Sequence, residues 1–310
     1  MLLAGVKKWW SGSSAPEAVI AAASVLAVVA PSAAQRSPSP AMLWPEGRIA
    51  VSEGLWGEGF LFPGGEAEIL RFARPLGLSG AAALLLVGAG SGGPACAVAR
   101  QLGVWVSGFE ADPDLAALAG ERARKTGLGK RVEVASWNPD QPVFRAAAYH
   151  HGLALEPLRG ARAEPVLAAI TAALKPGGQL VLLEMVADSP LNPADANAVA
   201  WARMESRRLD LPSEAAVTRM LGRLGFDVRV TEDISQRHAH LAVLGWRDAV
   251  GQMGQKRPSP VQAALLVRVA ELWFRRLHLL REGQLRLLRW HAIRRGSGPG
   301  ASPPDARAIG

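Results

Sequence analysis

The stretch Leu84 to Gly93, LLLVGAGSGG, constrains the fold of this 310-residue chain more than any other. Leu84, Leu85, Leu86 and Val87 form an unbroken apolar run, which suits a strand covered on both faces and therefore a parallel sheet between helical layers. Gly88, Gly90, Gly92 and Gly93 follow, with Ala89 among them; where a Cβ is missing the backbone can turn tightly and come close to a ligand. Pro94 fits the first turn of a helix that Ala95 to Leu102 continues. Strand, glycine turn and helix N-terminus together make a seat for a nucleotide or nucleoside-bearing cofactor, with backbone N–H groups directed at it.

Val104 to Phe109 reads as a second buried strand that ends at Glu110, followed by Ala111 and Asp112. An acid at the tip of the second strand, about 20 residues past the glycines, is placed to accept hydrogen bonds from a ribose diol. Gly88, Gly90 and Gly93 also satisfy the G-x-G-x-x-G spacing of dinucleotide sites, so a nicotinamide cofactor stays open at this level.

Composition bounds the rest. At 49% hydrophobic and 20% charged residues, the chain can bury the core of one α/β domain with extensions. The single cysteine, Cys96, has no partner for an internal disulfide and falls on the helix after the glycine turn, where it is expected to be buried. The six histidines show no zinc-ligand spacing, so no metal is expected. The net charge of +8 is concentrated near the C-terminus, where Lys256 to Arg295 holds ten basic residues against Glu271 and Glu282. No nucleic-acid motif accompanies that surplus, which reads as the polar faces of helices packed on the sheet.

At the N-terminus, Ala18 to Ala30 is apolar, with Lys7 and Lys8 upstream and Pro31 to Gln35 downstream, the outline of a secretory signal. The run is too short to span a bilayer, and Glu17 abuts it. It is read as a helix docked on the domain or lying on a membrane surface, and the protein as cytoplasmic, where its cofactor is made. Gln35 to Pro45 is a Pro/Ser-rich linker, and residues 296 to 310 form a Gly/Pro/Ser-rich tail expected to be disordered.

Between these ends, Trp56 to Gly65 (WGEGFLFPGG) is a turn-rich aromatic segment, and Glu66 to Pro75 reads as a helix leading into the first strand. Periodicity predicts a helix over Asp112 to Gly127, a third strand over Arg131 to Trp137 and a fourth over Gly152 to Glu156. A helix over Ala161 to Leu174, the stop and turn Leu174-Lys175-Pro176-Gly177-Gly178, and a fifth strand over Gln179 to Val186 follow. The remainder reads as a helix over Ser213 to Leu224, a strand over Phe226 to Glu232, a long amphipathic helix over Val261 to Leu280 and a last strand over Gln284 to Arg294.

The combination of WGEGFLFPGG, a helix, LLLVGAGSGGPA and then LKPGG before the fifth strand resembles class I S-adenosylmethionine-dependent methyltransferases. It is most similar by eye to the small-molecule branch that includes phosphoethanolamine and glycine/sarcosine N-methyltransferases. The resemblance covers about residues 50 to 295. It implies an α/β fold with a doubly wound, mostly parallel seven-stranded sheet ending in an antiparallel hairpin. By residues, it divides the chain into an extension over 1–48, a methyltransferase domain over 49–295 that begins with a lid segment, and the tail. It implies S-adenosyl-L-methionine as cofactor, held by Gly88, Ala89, Gly90, Gly92, Glu110, Ala111 and Asn138, and a small molecule as methyl acceptor.

This chain departs from the family pattern at several positions. Leu86 stands where an acid two residues before the first glycine is usual, Phe60 where the lid carries a tyrosine, Trp137 and Asn138 where an acid follows the third strand, and Tyr149, His150 and His151 before the fourth. Candidates for acid–base work are therefore His150, His151 and Glu156, with Glu184 beside the same sheet edge. A non-catalytic, cofactor-binding descendant of the fold and a nicotinamide-dependent oxidoreductase are the alternatives to a methyltransferase.

Overall fold

The computed structural model describes residues 44–253 and 258–296. The readings of the apolar N-terminal stretch, of the linker up to residue 43 and of the tail from residue 297 lie outside them. The chain begins with helices α1 (Trp44–Trp56) and α2 (Gly65–Ala73), followed by β1 (Ala83–Val87), α3 (Gly93–Leu102), β2 (Trp105–Glu110), α4 (Pro113–Lys125) and β3 (Val132–Ser136). It continues through β4 (Tyr149–Leu155), α5 (Ala163–Ala173), β5 (Leu174–Val186), α6 (Ala196–Met204) and α7 (Glu214–Arg223). The last elements are β6 (Phe226–Asp233), α8 (Ser235–Met253), α9 (Pro260–Arg281) and β7 (Arg286–Arg294).

The seven strands form one sheet in the order β3-β2-β1-β4-β5-β7-β6. β1 to β5 are parallel, and β7 inserts antiparallel between β5 and β6. The sheet is therefore the expected mostly parallel α/β sheet with an antiparallel C-terminal pair. Side chains alternate across it with the period of a strand. Leu84 and Leu86 face one helical layer together with Leu183, Met185 and Leu287, while Leu85 and Val87 face the other with Leu182, Ile170 and Trp290. β1 is buried along nearly its whole length because both layers are complete over it.

Local chemistry sets most helix starts. Asp112 caps α4 by accepting from the N–H groups of Asp114 and Leu115, and Pro113 occupies its first turn. Ser213 caps α7, and Ser259 with Gln262 forms a reciprocal capping box on α9.

Three helices lie where no helix is expected from sequence. α1 runs across the domain boundary drawn at residue 48 and takes up the start of the turn-rich segment, and α6 and α8 occupy stretches without a clear apolar period. One glycine in α1 and one in α8 serve packing. A Cβ at Gly47 of α1 would lie 2.5 Å from Leu265 of α9, and one at Gly245 of α8 would lie 2.7 Å from the Trp56 indole nitrogen. Such glycines blur a helix in sequence because they weaken its intrinsic propensity. The strand boundaries shift as well. β4 starts at Tyr149, three residues before the expected start, and β5 pairs from Leu174 through an irregularity in which Lys175 to Gly178 bulge and Gly177 has φ 77°.

One glycine holds the centre of this arrangement. Gly88 has φ 83°, and a Cβ there would lie 2.2 Å from the Leu155 carbonyl oxygen at the end of β4. Gly88→Ala is expected to destabilise the protein by about 2 kcal/mol or more in urea unfolding, through a left-handed residue with a Cβ and a backbone clash. Gly54→Ala is expected to stabilise by about 0.5–1 kcal/mol, since Gly54 is exposed in α1 and a Cβ there would meet nothing within 4 Å. Equal effects of the two substitutions would contradict this packing.

Candidate functional site

β1 and β4 are neighbours whose following connections diverge to opposite sides, and a crevice at such a switch point, outside the carboxyl ends of parallel strands, is where ligands bind in open α/β sheets. The glycine turn folds back here. Gly88 and Ala89 both donate their N–H to the Phe109 carbonyl, at 2.8 and 3.2 Å, which ties the turn to the end of β2. Glu110 completes the tie. Its Oε2 accepts from Gly90 N–H at 2.8 Å, and its Oε1 accepts from the N–H groups of Ala111 at 2.8 Å and Asp112 at 3.3 Å.

A cavity of about 160 Å³ lies against this turn, walled by Gly88, Gly90, Glu110, Leu115 and Trp137 and roofed by Leu61. It adjoins a larger cavity of about 550 Å³ that reaches Arg48 and Ser52 of α1, Arg159, Glu205, and Trp273 and Arg276 of α9. Leu61, Phe62, Glu110, Ala111, Leu115, Glu156 and Arg159 line both.

Of the residues expected at a cofactor, Gly88, Gly90, Glu110 and Ala111 line the cavities. Ala89 and Gly92 do not: Ala89 is wholly buried behind the turn, and a Cβ at Gly92 would lie 2.8 Å from Ala119 of α4. Their small size lets α4 and the sheet approach. Asn138 is also displaced from the expected role. Its Oδ1 accepts from Asp140 N–H at 3.0 Å within its own loop, and Trp137, Pro139 and Asp140 form that wall instead.

The N-terminal aromatic segment divides into two parts. Trp56 and Phe60 are buried, and Trp56 meets Trp273 edge-on at 4.7 Å, so these rings are core. Leu61 and Phe62 lie over the cavities. Glu58, a charge that could face the cofactor by its place in the sequence, is 85% exposed and pairs with Arg122 at 2.6 Å.

At the floor of the larger cavity lies a cluster of charges that sequence reasoning does not foresee. Glu156 accepts from Arg276 at 2.6 Å and is paired with Arg207 and, at 3.2 Å, with Arg159. Glu205 pairs with Arg276 at 3.0 Å, and Glu184 with Arg207 at 3.0 Å. Glu184 also accepts from the N–H groups of Leu158 and Met185, each at 2.8 Å. Burial by itself raises the carboxyl of Glu156, but Arg276, Arg207 and Arg159 outweigh it and hold that group well below the carboxylate range. The same contest leaves Glu205 at about 2, whereas burial prevails at Glu184 and raises it. Arg276 belongs to the basic C-terminal stretch read as the polar faces of helices packed on the sheet; it is itself buried, held there by two carboxylates.

Two candidate bases are excluded by position. His150 and His151 sit at the amino end of β4, with His151 opposite Leu84, so they are about 13 Å along the sheet from the glycine turn. His150 Nδ1 accepts from Ala83 N–H at 3.0 Å and its Nε2 lies 2.9 Å from Lys175 Nζ, a structural role at the far edge. Glu156 is at the cavity, in a left-handed conformation with φ 49°, but its ion pairs leave it weakly basic.

No protein-family model matches the chain, and no curated protein matches it. Solved structures do. Phosphoethanolamine N-methyltransferase 2 of Haemonchus contortus, in complex with phosphomonomethylethanolamine and S-adenosylhomocysteine, is 20% identical with a TM-score of 0.67 over 80% of this chain and 57% of that one. The [4+2]-cyclase SpnF is 19% identical with a TM-score of 0.62, over 84% of this chain and 98% of that one. A putative sarcosine dimethylglycine methyltransferase from Galdieria sulphuraria is 15% identical with a TM-score of 0.60, over 74% and 85%. The matched region thus spans little more than half of the Haemonchus chain. The fold is that of class I S-adenosylmethionine-dependent methyltransferases.

His238 of α8 adjoins this site. It is buried between Phe62 and Trp273, with ring centroids 5.0 and 5.6 Å away, and neither of its ring nitrogens has a hydrogen-bond partner among the described residues. Burial, then the charge of Arg276, lowers it to about 3 against the opposing pull of Glu156 and Glu205. In the unfolded chain the imidazole takes up a proton near its ordinary value of 6.5, and in the folded protein only near 3. His238 therefore contributes stability that is complete above pH 6.5 and is lost as the pH falls toward 3, at up to about 1.4 kcal/mol per pH unit. His238→Leu is expected to lose about 2 kcal/mol less than the parent between pH 7 and 5 in urea unfolding. Equal losses would contradict a buried neutral histidine.

Proposed function

We propose that this protein is an S-adenosylmethionine-dependent methyltransferase acting on a small molecule, and that it works in the cytoplasm. The observation that carries the reading is the placement of Glu110. Its carboxylate stands at the tip of β2, beside the glycine turn and in the wall of the cavity, as an acceptor for two hydroxyls of a ribose. The turn also fits a ligand by shape: Gly90 lines the cavity with φ 57°, and a side chain there would project toward Leu61 of the roof, at 3.6 Å, in the space between turn and cover.

In this reading Gly88, Gly90, Glu110 and Ala111 hold the nucleoside, Leu115 and Trp137 flank its base, and Leu61 and Phe62 exclude water. The cofactor, when bound, supplies a methyl group on a sulfonium leaving group. The adjoining cavity of about 550 Å³ is of the size that takes a small molecule. Glu156 and Glu205 are engaged by arginines, so the residues at the acceptor end orient a nucleophile rather than deprotonate it. An amine that binds in its neutral form meets that requirement.

The likeness to a [4+2]-cyclase keeps a second reading in view, a chain that uses the same seat without methyl transfer. Calorimetric titration separates the readings. S-adenosylhomocysteine is expected to bind at micromolar concentration and NAD not at all, and Glu110→Ala to weaken the former about tenfold to a hundredfold. Binding of NAD alone would overturn the proposal. Transfer of labelled methyl groups from the cofactor into a metabolite mixture is expected to identify the acceptor, and binding without any transfer would favour the second reading.

A further inference from the structure

The glycine turn is held from outside by a charged group that touches neither cavity. Ser91, at the apex of the turn, is wholly buried and stands between Gly90 and Gly92, whose φ values are 57° and 99°. Its carbonyl accepts from Arg122 Nε at 2.8 Å, and its Oγ donates to Glu53 Oε1 at 2.8 Å. The same Glu53 oxygen accepts from a terminal nitrogen of Arg122 at 2.7 Å. These contacts close a ring that joins α1, the turn and α4. The other terminal nitrogen of Arg122 donates to Glu58, and Gly93 N–H donates to the Gly59 carbonyl at 2.9 Å, so the N-terminal segment is bound into the same assembly.

Two glycines in left-handed conformations leave the peptide planes around Ser91 free to rotate in ways other residues forbid. β1 supplies nothing polar to stop that rotation, since Leu86 is aliphatic and fully buried. Neither Glu53 nor Arg122 lines the cavities, so neither is placed to touch a ligand there. Yet they are the groups that fix the Ser91 carbonyl toward α4. We infer that Glu53 and Arg122 are positioning residues of the cofactor seat. They hold the turn at Ser91 in the conformation in which Gly88 and Gly90 line the cavity, and they couple the shape of the seat to the docking of α1 and of the segment that roofs it.

The choice of ligand in the test rests on the proposed function, but the brace itself can be measured without ligand. Glu53→Gln, Ser91→Ala and Arg122→Met are compared with the parent and with Glu66→Gln, which removes a separate exposed charge paired with Arg100. Affinity and dissociation rate for S-adenosylhomocysteine are measured together with amide exchange of residues 88 to 93 in the ligand-free protein. The inference predicts affinity lower by about tenfold or more in the three variants, appearing as faster dissociation, with faster exchange in the turn. It also predicts that Glu53→Gln combined with Arg122→Met is no worse than the weaker-binding single variant, because the two act as one unit.

A merely structural role lowers the unfolding midpoint and leaves dissociation and turn exchange as in the parent; that result, or an equal effect of Glu66→Gln, overturns the inference. If the parent itself does not bind S-adenosylhomocysteine, the proposed function fails while exchange in the turn still decides the brace. Faster exchange in the variants supports it, and unchanged exchange overturns it.

Discussion

The convergence of three backbone N–H groups on the Glu110 carboxylate is the interaction on which the crevice depends. Those groups belong to Gly90, Ala111 and Asp112, so one side chain joins the glycine turn to the start of α4. The backbone around it works in the same direction. Phe109 accepts from both Gly88 and Ala89, and the Glu110 carbonyl accepts from Trp137 N–H at 3.1 Å. The tip of β2 thus fixes the turn on one side and the loop after β3 on the other, and the smaller cavity is the space left between them. A carboxylate only accepts, so a ligand offering two hydroxyls can share or take over these oxygens without a change in the protein's charge.

The larger cavity owes its floor to a different balance. Three buried carboxylates, Glu156, Glu184 and Glu205, are held by Arg207 and Arg276, both nearly inaccessible, and by the more open Arg159. A buried ion pair adds little net stability, because desolvation cancels most of its attraction, but removal of one partner is costly. The effect of such a cluster is geometric. It joins the end of β4, β5, the segment after α6, and α9 at fixed distances and leaves a polar surface at the acceptor end. Glu156 sits there with φ 49°, a conformation a non-glycine residue keeps only where its surroundings enforce it.

Much of the fold is legible in the sequence because its signals are local. The apolar run of β1, the glycines after it, Pro94 and the Asp112-Pro113 cap each act within a few residues, and the first five strands follow from runs of the same kind. Glu110 is legible for the same reason, since its distance from the glycines is set by one helix and one strand. What escapes is set by contacts between distant segments. α1 and α8 carry glycines that let neighbouring helices approach, Gly47 toward α9 and Gly245 toward α1, and sequence reads them as helix breakers. The ion cluster joins residues as far apart as Glu156 and Arg276, and no spacing announces that an arginine in a basic stretch turns inward. His150 and His151 mislead because residues at the start of β4 lie at its amino end with either boundary, Tyr149 or Gly152, whereas the crevice lies outside the carboxyl ends of the strands. Asn138 is suggested by its order after β3, but its side chain is claimed by Asp140 N–H.

The account stands on one spatial claim, that the nucleoside of the cofactor lies between the glycine turn and Glu110. A crystal structure of the protein with S-adenosylhomocysteine measures this directly. The account predicts difference density for the ribose within hydrogen-bonding distance of both Glu110 carboxylate oxygens, with the base between Leu115 and Trp137 and the amino-acid end passing Gly88 toward the larger cavity. Density for the ligand elsewhere on the protein, with the crevice between β1 and β4 left to solvent, would contradict it.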